Sequence, residues 1–269
     1  MLTIPFVVYS HTDNLDCLEI ATDYLTDFKN KILIINESDI DLEKWSAHYE
    51  QILLYKDNQQ YGAKLYETLT NIKNDYILFS HEIDILLNKN IQVLNKLIEY
   101  AKLNQIDRIN LQPSGHNGPE FTKVDLYLPI NKWDVTTVPA IETLYISEQK
   151  GVTTYRYNVN PCIVNVKSFT KMVENFRETS YRDMEDLPVQ QYCENLKVCN
   201  LYKTSLEECG YFKCVSEYKF FHITHHRAFV RFDPHMPVTK FGQSYKDCSV
   251  EYQNIVSKYK LLEKSRNFA

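Results

Sequence analysis

Tyr76-Ile77-Leu78-Phe79-Ser80-His81-Glu82-Ile83-Asp84-Ile85-Leu86-Leu87 is the stretch on which the reading of the fold turns. Its four leading apolar residues, bounded by polar ones, suit a strand buried on both faces. Glu82 and Asp84 would be costly to bury beside such a strand without partners. The pattern therefore puts them where the strand ends, facing a cleft, where a divalent cation would give both a partner.

The sequence to either side repeats the design. Phe6–Tyr9, Lys31–Asn36 and Gln51–Tyr55 read as strands. Helical spacing of Leu15, Leu18, Ala21, Thr22 and Leu25 predicts a helix within 13–30, and Leu65, Leu69 and Ile72 predict another across 61–73. A short helix or irregular turn fits 42–49. Beyond the acids, Asn88 can cap a helix with the stripe Ile91, Leu94, Ile98 and Ala101, and 108–112 reads as a fifth strand. Such alternation predicts right-handed βαβ units, hence an α/β fold with a mainly parallel sheet flanked by helices. Ligands of these sheets bind beyond the carboxyl ends of the strands. There stand Ser10-His11-Thr12-Asp13, Asn36-Glu37-Ser38-Asp39, Lys56-Asp57-Asn58 and Ser80 to Asp84, each with a carboxylate. A Gly-rich phosphate cradle is absent, which argues against P-loop NTPases and Rossmann dehydrogenases.

After residue 112 the character changes. Residues 113–139 read as a long loop containing Trp133. Strands are expected at 143–147 and 153–157 around Gln149-Lys150-Gly151, and at 161–166. Ser168 is the expected cap of a helix ending at 175. Pro188 fits the first turn of a helix that follows Glu185-Asp186. Strands at 197–202 and 220–224 and an amphipathic helix at 250–264 complete the chain. The division expected is a ligand-binding half at 1–112, a smaller mixed half at 113–235 and a C-terminal extension with a helix at 236–269.

Composition narrows the class. The 269 residues are 44% hydrophobic and 24% charged, an ordinary globular balance. A formal charge of −5 argues against a nucleic-acid partner. No run of about 18 apolar residues encodes a membrane span. The N-terminus lacks the basic region of a secretory signal, and the seven scattered Cys read as free thiols of a reducing compartment. The expected location is the cytoplasm. Tyr is abundant at 20; such rings can line sugar sites, but strand and core filling accounts for most of them.

In chain order, the residues resemble a known family. The strand, polar turn and helix at the start are followed by a strand, Asn36-Glu37-Ser38-Asp39, a strand and Asp57-Asn58. Tyr61-Gly62-Ala63-Lys64 then opens a helix, and Asp75-Tyr76-Ile77-Leu78-Phe79 runs into the acidic motif. This series resembles the nucleotide-binding half of GT-A glycosyltransferases, especially the inverting family-2-like enzymes. Met184-Glu185-Asp186 resembles their Glu-Asp motif, and Phe221-His222-Ile223-Thr224-His225-His226 their late strand that often gives the metal a His. The resemblance spans residues 4–230. The acidic motif departs from the family's Asp-x-Asp: an ungapped match puts His81 at the first Asp and Ile83 at the second. Reading Glu82-Ile83-Asp84 as Glu-x-Asp restores two carboxylates.

The resemblance implies transfer of a sugar from a nucleoside diphosphate, UDP or dTDP before GDP, to a hydroxyl of a glycan or other acceptor. A Mn²⁺ or Mg²⁺ on Asp84, Glu82 and His222 would stabilise the leaving diphosphate. Thr12, Asp13, Asn36, Glu37, Asp57 and His81 would line the donor pocket, with Lys64 reaching the diphosphate from its helix start. Asp186, or Glu185, would take the acceptor's proton, and Trp133 and Tyr157 would stack on the acceptor. Plainer alternatives stand beside each role. Glu82 and Asp84 can be a solvated turn, Asp13, Glu185 and Asp186 helix caps, and Lys64 an ordinary surface lysine. Cys209 and Cys214 with His222 and His225 form a zinc-like set, although its spacing is short. Two other functions share this type of sheet. One is a nucleotidyltransferase that makes sugar nucleotides, which the Gly-free, non-basic turn after the first strand disfavours. The other is a non-catalytic nucleotide- or carbohydrate-binding module.

Overall fold

The computed structural model describes residues 2–86, 91–111, 126–127, 144–148, 157–203, 220–222 and 258. The first half follows the predicted alternation. Strand β1 (Phe6–Tyr9) leads through a 3-10 turn (Thr12–Asn14) into α1 (Leu15–Tyr24). Then come β2 (Lys31–Asn36), α2 (Leu42–Ser46), β3 (Gln51–Tyr55), α3 (Tyr61–Leu69) and β4 (Tyr76–His81). A turn at Glu82 and Ile83 leads to β5 (Asp84–Leu86), followed by α4 (Ile91–Leu103) and β6 (Arg108–Asn110). The second half holds β7 (Leu126–Tyr127), β8 (Leu144–Glu148), β9 (Cys162–Asn165) and α5 (Val166–Asn175). A 3-10 turn (Asp183–Glu185), α6 (Leu187–Cys193), β10 (Val198–Lys203) and β11 (Phe220–His222) complete it.

Among the described residues, nine strands form one sheet in the order β3-β2-β1-β4-β9-β6-β10-β8-β7. The pairs β1–β2, β1–β4, β2–β3 and β6–β10 are parallel. Strand β9 enters antiparallel between β4 and β6, and β8 pairs antiparallel with β7 and β10. The fold is thus α/β with a mostly parallel half and a mixed half.

Alternation along each parallel strand explains why both faces are apolar. Phe6, Val8, Leu33, Ile35 and Leu78 point into the layer that holds Leu18 of α1, Trp45 of α2 and Leu94 and Ile98 of α4. Val7, Ile32, Ile34, Ile77 and Phe79 point into the opposite layer, against Leu65 and Leu69 of α3, Phe169 and Met172 of α5 and Val189 of α6. Side chains of period two therefore feed two cores at once.

The structure corrects several boundaries. Helices α1 and α3 end earlier than predicted, and β4 runs on through His81. The helix cap of α5 is Asn165, whose side-chain oxygen accepts the Ser168 amide (3.0 Å), not Ser168. The reason is that β9 passes into α5 without a loop, so its last residue becomes the cap. Tyr157 lies in no strand; 153–156, Asn88 and the terminal helix apart from Lys258 lie outside the described residues. Among the described residues, Cys17, Cys162, Cys193 and Cys199 are free thiols, and no helix is long and apolar enough to cross a membrane.

Candidate active site at the strand ends

The carboxyl ends of β1, β2 and β3 meet in one polar network. The Asn36 side-chain oxygen accepts the Thr12 amide (2.7 Å), and its Nδ2 donates to the Thr12 hydroxyl (2.8 Å) and to Asp57 Oδ2 (3.3 Å). Ser38 Oγ also donates to Asp57 Oδ2. His11 Nδ1 accepts the Asp13 amide (3.1 Å), which leaves Nε2 as the N–H that donates to Asp57 Oδ1 (3.2 Å). A carboxylate offers about four lone-pair sites, so three donors leave Asp57 room for one more. Partial burial pushes Asp57 up, but the hydrogen bonds from Ser38 and Asn36 and the neighbouring His11 outweigh it. The net effect is a carboxyl below its usual range. Asp13 is exposed beside His11 (3.6 Å from Nδ1), and Glu37 is exposed at the rim.

At Lys64 the plainer alternative, an ordinary surface lysine, fails. It is buried at 2% exposure, not a surface residue, with its ammonium 5.1 Å from the Tyr55 ring centroid. Among the described residues no carboxylate forms an ion pair with it. Desolvation lowers its pKa, and Asp57 offsets that in part.

At the end of β4, His81, Glu82 and Asp84 are all buried. His81 Nδ1 lies 3.0 Å from the Val159 carbonyl, which can only accept, so Nδ1 donates. In the neutral ring Nε2 then accepts from the Tyr61 hydroxyl at 2.8 Å. His81 thus bonds through both ring nitrogens, and Tyr9, Tyr61, Phe79 and Tyr181 pack on its ring. The aromatic shell explains how a His is accommodated where the resembling family has an Asp.

Glu185 reaches the same place from the other half of the chain. Glu185 Oε1 accepts the Val159 amide (2.8 Å). Asp186 is the N-cap residue of α6 by position, but its carboxylate makes no capping bond and is exposed. Tyr181 packs edge-on to Tyr61 (5.1 Å) and His81 (5.5 Å). Burial raises its phenol well above the usual tyrosine value, and Asp84, Glu185 and Glu82 raise it further. Three acids from two distant segments thus act on one phenol.

Strand β5 pairs with β11 in a separate two-stranded sheet, with His222 opposite Asp84 in the register. Among the described residues no three metal-ligating side chains converge. Two buried carboxylates nevertheless suit Mn²⁺ or Mg²⁺, which usually take one or two plus water and phosphate oxygens. Tyr157 does not face the cleft. It is buried at 1% exposure, with Arg108 over its ring at 4.7 Å, so its expected role on the acceptor does not fit its position. Trp133, Cys209, Cys214, His225 and His226 lie outside the described residues.

Sequence reasoning missed His11, Ser38, Tyr61, Tyr181 and Arg108. A charged residue opening a predicted strand of the sheet was the available signal for Arg108. Nothing local marked Tyr181, whose place depends on the packing of two helices.

No protein-family model matches the chain, and no curated protein matches it. Among solved structures it is similar to the first 349 residues of S. aureus TarS. That match has 12% identity and a TM-score of 0.44, and covers 97% of this chain and 76% of that one. It is similar also to a cytidylyltransferase from Leptospira borgpetersenii serovar Hardjo-bovis, at 10% identity and a TM-score of 0.42, over 99% of this chain and 100% of that one. A third is CMP:2-keto-3-deoxy-manno-octonic acid synthetase complexed with CTP, at 7% identity and a TM-score of 0.42, covering 74% and 89%. All three scores lie below 0.5, and the fold class stated above rests on strand order and register.

Proposed function

We propose that the protein is a glycosyltransferase of GT-A type that moves a sugar from a nucleoside diphosphate, UDP or dTDP before GDP, to an acceptor hydroxyl with inversion. The observation that carries this reading is the bridge at Val159, which receives His81, next to Glu82, on its carbonyl and gives its amide to Glu185, next to Asp186.

The roles follow from the chemistry of each group. The open lone pair of Asp57 accepts a ribose hydroxyl, and Asn36, Thr12 and His11 hold that carboxylate still. Lys64 offers a desolvated ammonium to the diphosphate. Asp84 and Glu82 would hold Mn²⁺ or Mg²⁺, with His222 opposite Asp84 as a further ligand. Such an ion, when bound, supplies charge that stabilises the leaving diphosphate. Asp186, exposed and uncommitted to its helix, takes the proton of the attacking hydroxyl. Glu185 is held by the Val159 amide and shapes that part of the cleft.

The nucleotide-forming alternative fits less well. The amides of Thr12, Asp13 and Asn14, which a phosphate cradle after β1 would need, are already bonded to Asn36, His11 Nδ1 and the His11 carbonyl. A thermal-shift screen of nucleoside mono-, di- and triphosphates, each with and without Mn²⁺, tests the binding half of the reading. UDP or dTDP should raise the melting temperature most, and only weakly without Mn²⁺ or in Asp84→Asn. Stabilisation by nucleoside triphosphates alone, unaffected by Asp84→Asn, would favour the nucleotidyltransferase.

A further inference from the structure

Arg108 opens β6, in the middle of the sheet, and is buried at 4% exposure. Its partners are all neutral. Nε donates to Asn110 Oδ1 (2.6 Å), and Nη2 donates to the backbone carbonyls of Asn158 (2.5 Å) and Asn160 (3.3 Å) and to Asn158 Oδ1 (3.3 Å). Among the described residues no carboxylate forms an ion pair with it. A buried cation without a counter-ion is expensive, and an apolar side chain of similar volume would serve stability as well or better. The fork must therefore be explained by what it holds.

It holds the turn between Tyr157 and Pro161. Gln190 grips the start of that turn, accepting the Tyr157 amide (2.9 Å) and donating to its carbonyl (2.7 Å). Asn158 Oδ1 closes the turn on the Asn160 amide (3.2 Å). Val159 sits at its apex with both backbone groups committed across the site. Its N–H goes to Glu185 and its C=O receives His81. A single peptide segment thus ties the end of β4 to the start of α6, and Arg108 fixes that segment from below.

We propose that Arg108 is a positioning residue. By clamping Asn158 and Asn160 it sets the separation between the Glu82–Asp84 corner and the Glu185–Asp186 pair. This rests on the transferase reading of the site. It makes Arg108 matter to turnover although no atom of it reaches the reacting groups. Lysine cannot replace it, since an ammonium lacks the planar fork that spans two carbonyls and a side-chain amide.

The test compares Arg108→Lys and Arg108→Met with Met172→Ala, a core variant in the same layer whose side chain makes none of these hydrogen bonds. Hydrogen exchange at the Val159 amide reads the clamp without any ligand. Release of nucleoside diphosphate from UDP-glucose, UDP-galactose and dTDP-glucose with Mn²⁺ reads its consequence. Both Arg108 variants should expose the Val159 amide about tenfold or more while Ile163 in β9 stays protected. They should lose about tenfold or more in kcat with KM within about threefold. Met172→Ala should lose stability and leave kcat unchanged. Arg108→Lys carries the test if Arg108→Met does not fold. Retained protection of Val159 in Arg108→Lys overturns the clamp. An unprotected Val159 with kcat unchanged overturns its role in turnover. If wild-type protein releases diphosphate from none of the three donors, the transferase reading fails and the turnover role falls with it, while the exchange result still decides the clamp.

Discussion

Asp57 and Lys64 show how single residues are tuned by what surrounds them, and in opposite senses. Asp57 is held below the usual carboxyl range by its donors. A folded pKa below the unfolded one stabilises above the unfolded value, near pH 4, and that contribution is lost as pH falls through the folded value. The acid limb of a melting-temperature profile should therefore begin near pH 4 and flatten in Asp57→Asn; an unchanged limb would show that the network contributes nothing. Lys64 is the reverse case, a buried cation whose charged form is disfavoured by desolvation. Burial for a ligand's sake costs the free protein stability. Lys64→Met should raise the melting temperature of the ligand-free protein by about 1–4 °C and weaken UDP binding. A variant that melts lower, or binds UDP as tightly, would contradict the role given to Lys64.

Among the elements, α3 and the segment after α5 carry the arrangement that sequence reading did not reach. Gly62 lies in the first turn of α3, and its amide donates to the Thr179 carbonyl (3.1 Å). A Cβ at Gly62 would stand 2.0 Å from the Phe176 carbonyl oxygen and 3.1 Å from Arg177 Cα. Backbone cannot yield as a flexible side chain can, so Gly62→Ala should cost about 1–3 kcal/mol, measurable by chemical denaturation. An effect below about 0.5 kcal/mol would mean the two segments separate easily. The same close approach brings Tyr181 onto Tyr61 and His81. The strands were legible in advance because burial on both faces writes a continuous apolar run into the sequence, as at Phe6 to Tyr9 and Lys31 to Asn36. The place of Tyr181 was not, because a glycine in a helix's first turn does not name the backbone it admits. The antiparallel entry of β9 was illegible for a similar reason: the short run Cys162-Ile163-Val164 does not state its direction.

For the whole molecule, the order of strands determines which ends share a cleft. The strand-end groups of the first half were predicted as one set, and the structure joins Thr12, Asn36 and Asp57 directly by hydrogen bonds. The meeting of Glu185 with the end of β4 through Val159 needed the tertiary fold, since the linking residue carries no chemistry in its side chain. The central claim is that these groups together transfer a sugar. It is tested most directly by following nucleoside diphosphate release from UDP- and dTDP-sugars with Mn²⁺, in wild type and in Asp186→Asn with Glu185 intact. Wild type should release the diphosphate, and Asp186→Asn should keep the same donor affinity with transfer abolished. Undiminished transfer in Asp186→Asn would contradict the base assignment, and no release by wild type from any of these donors would contradict the function.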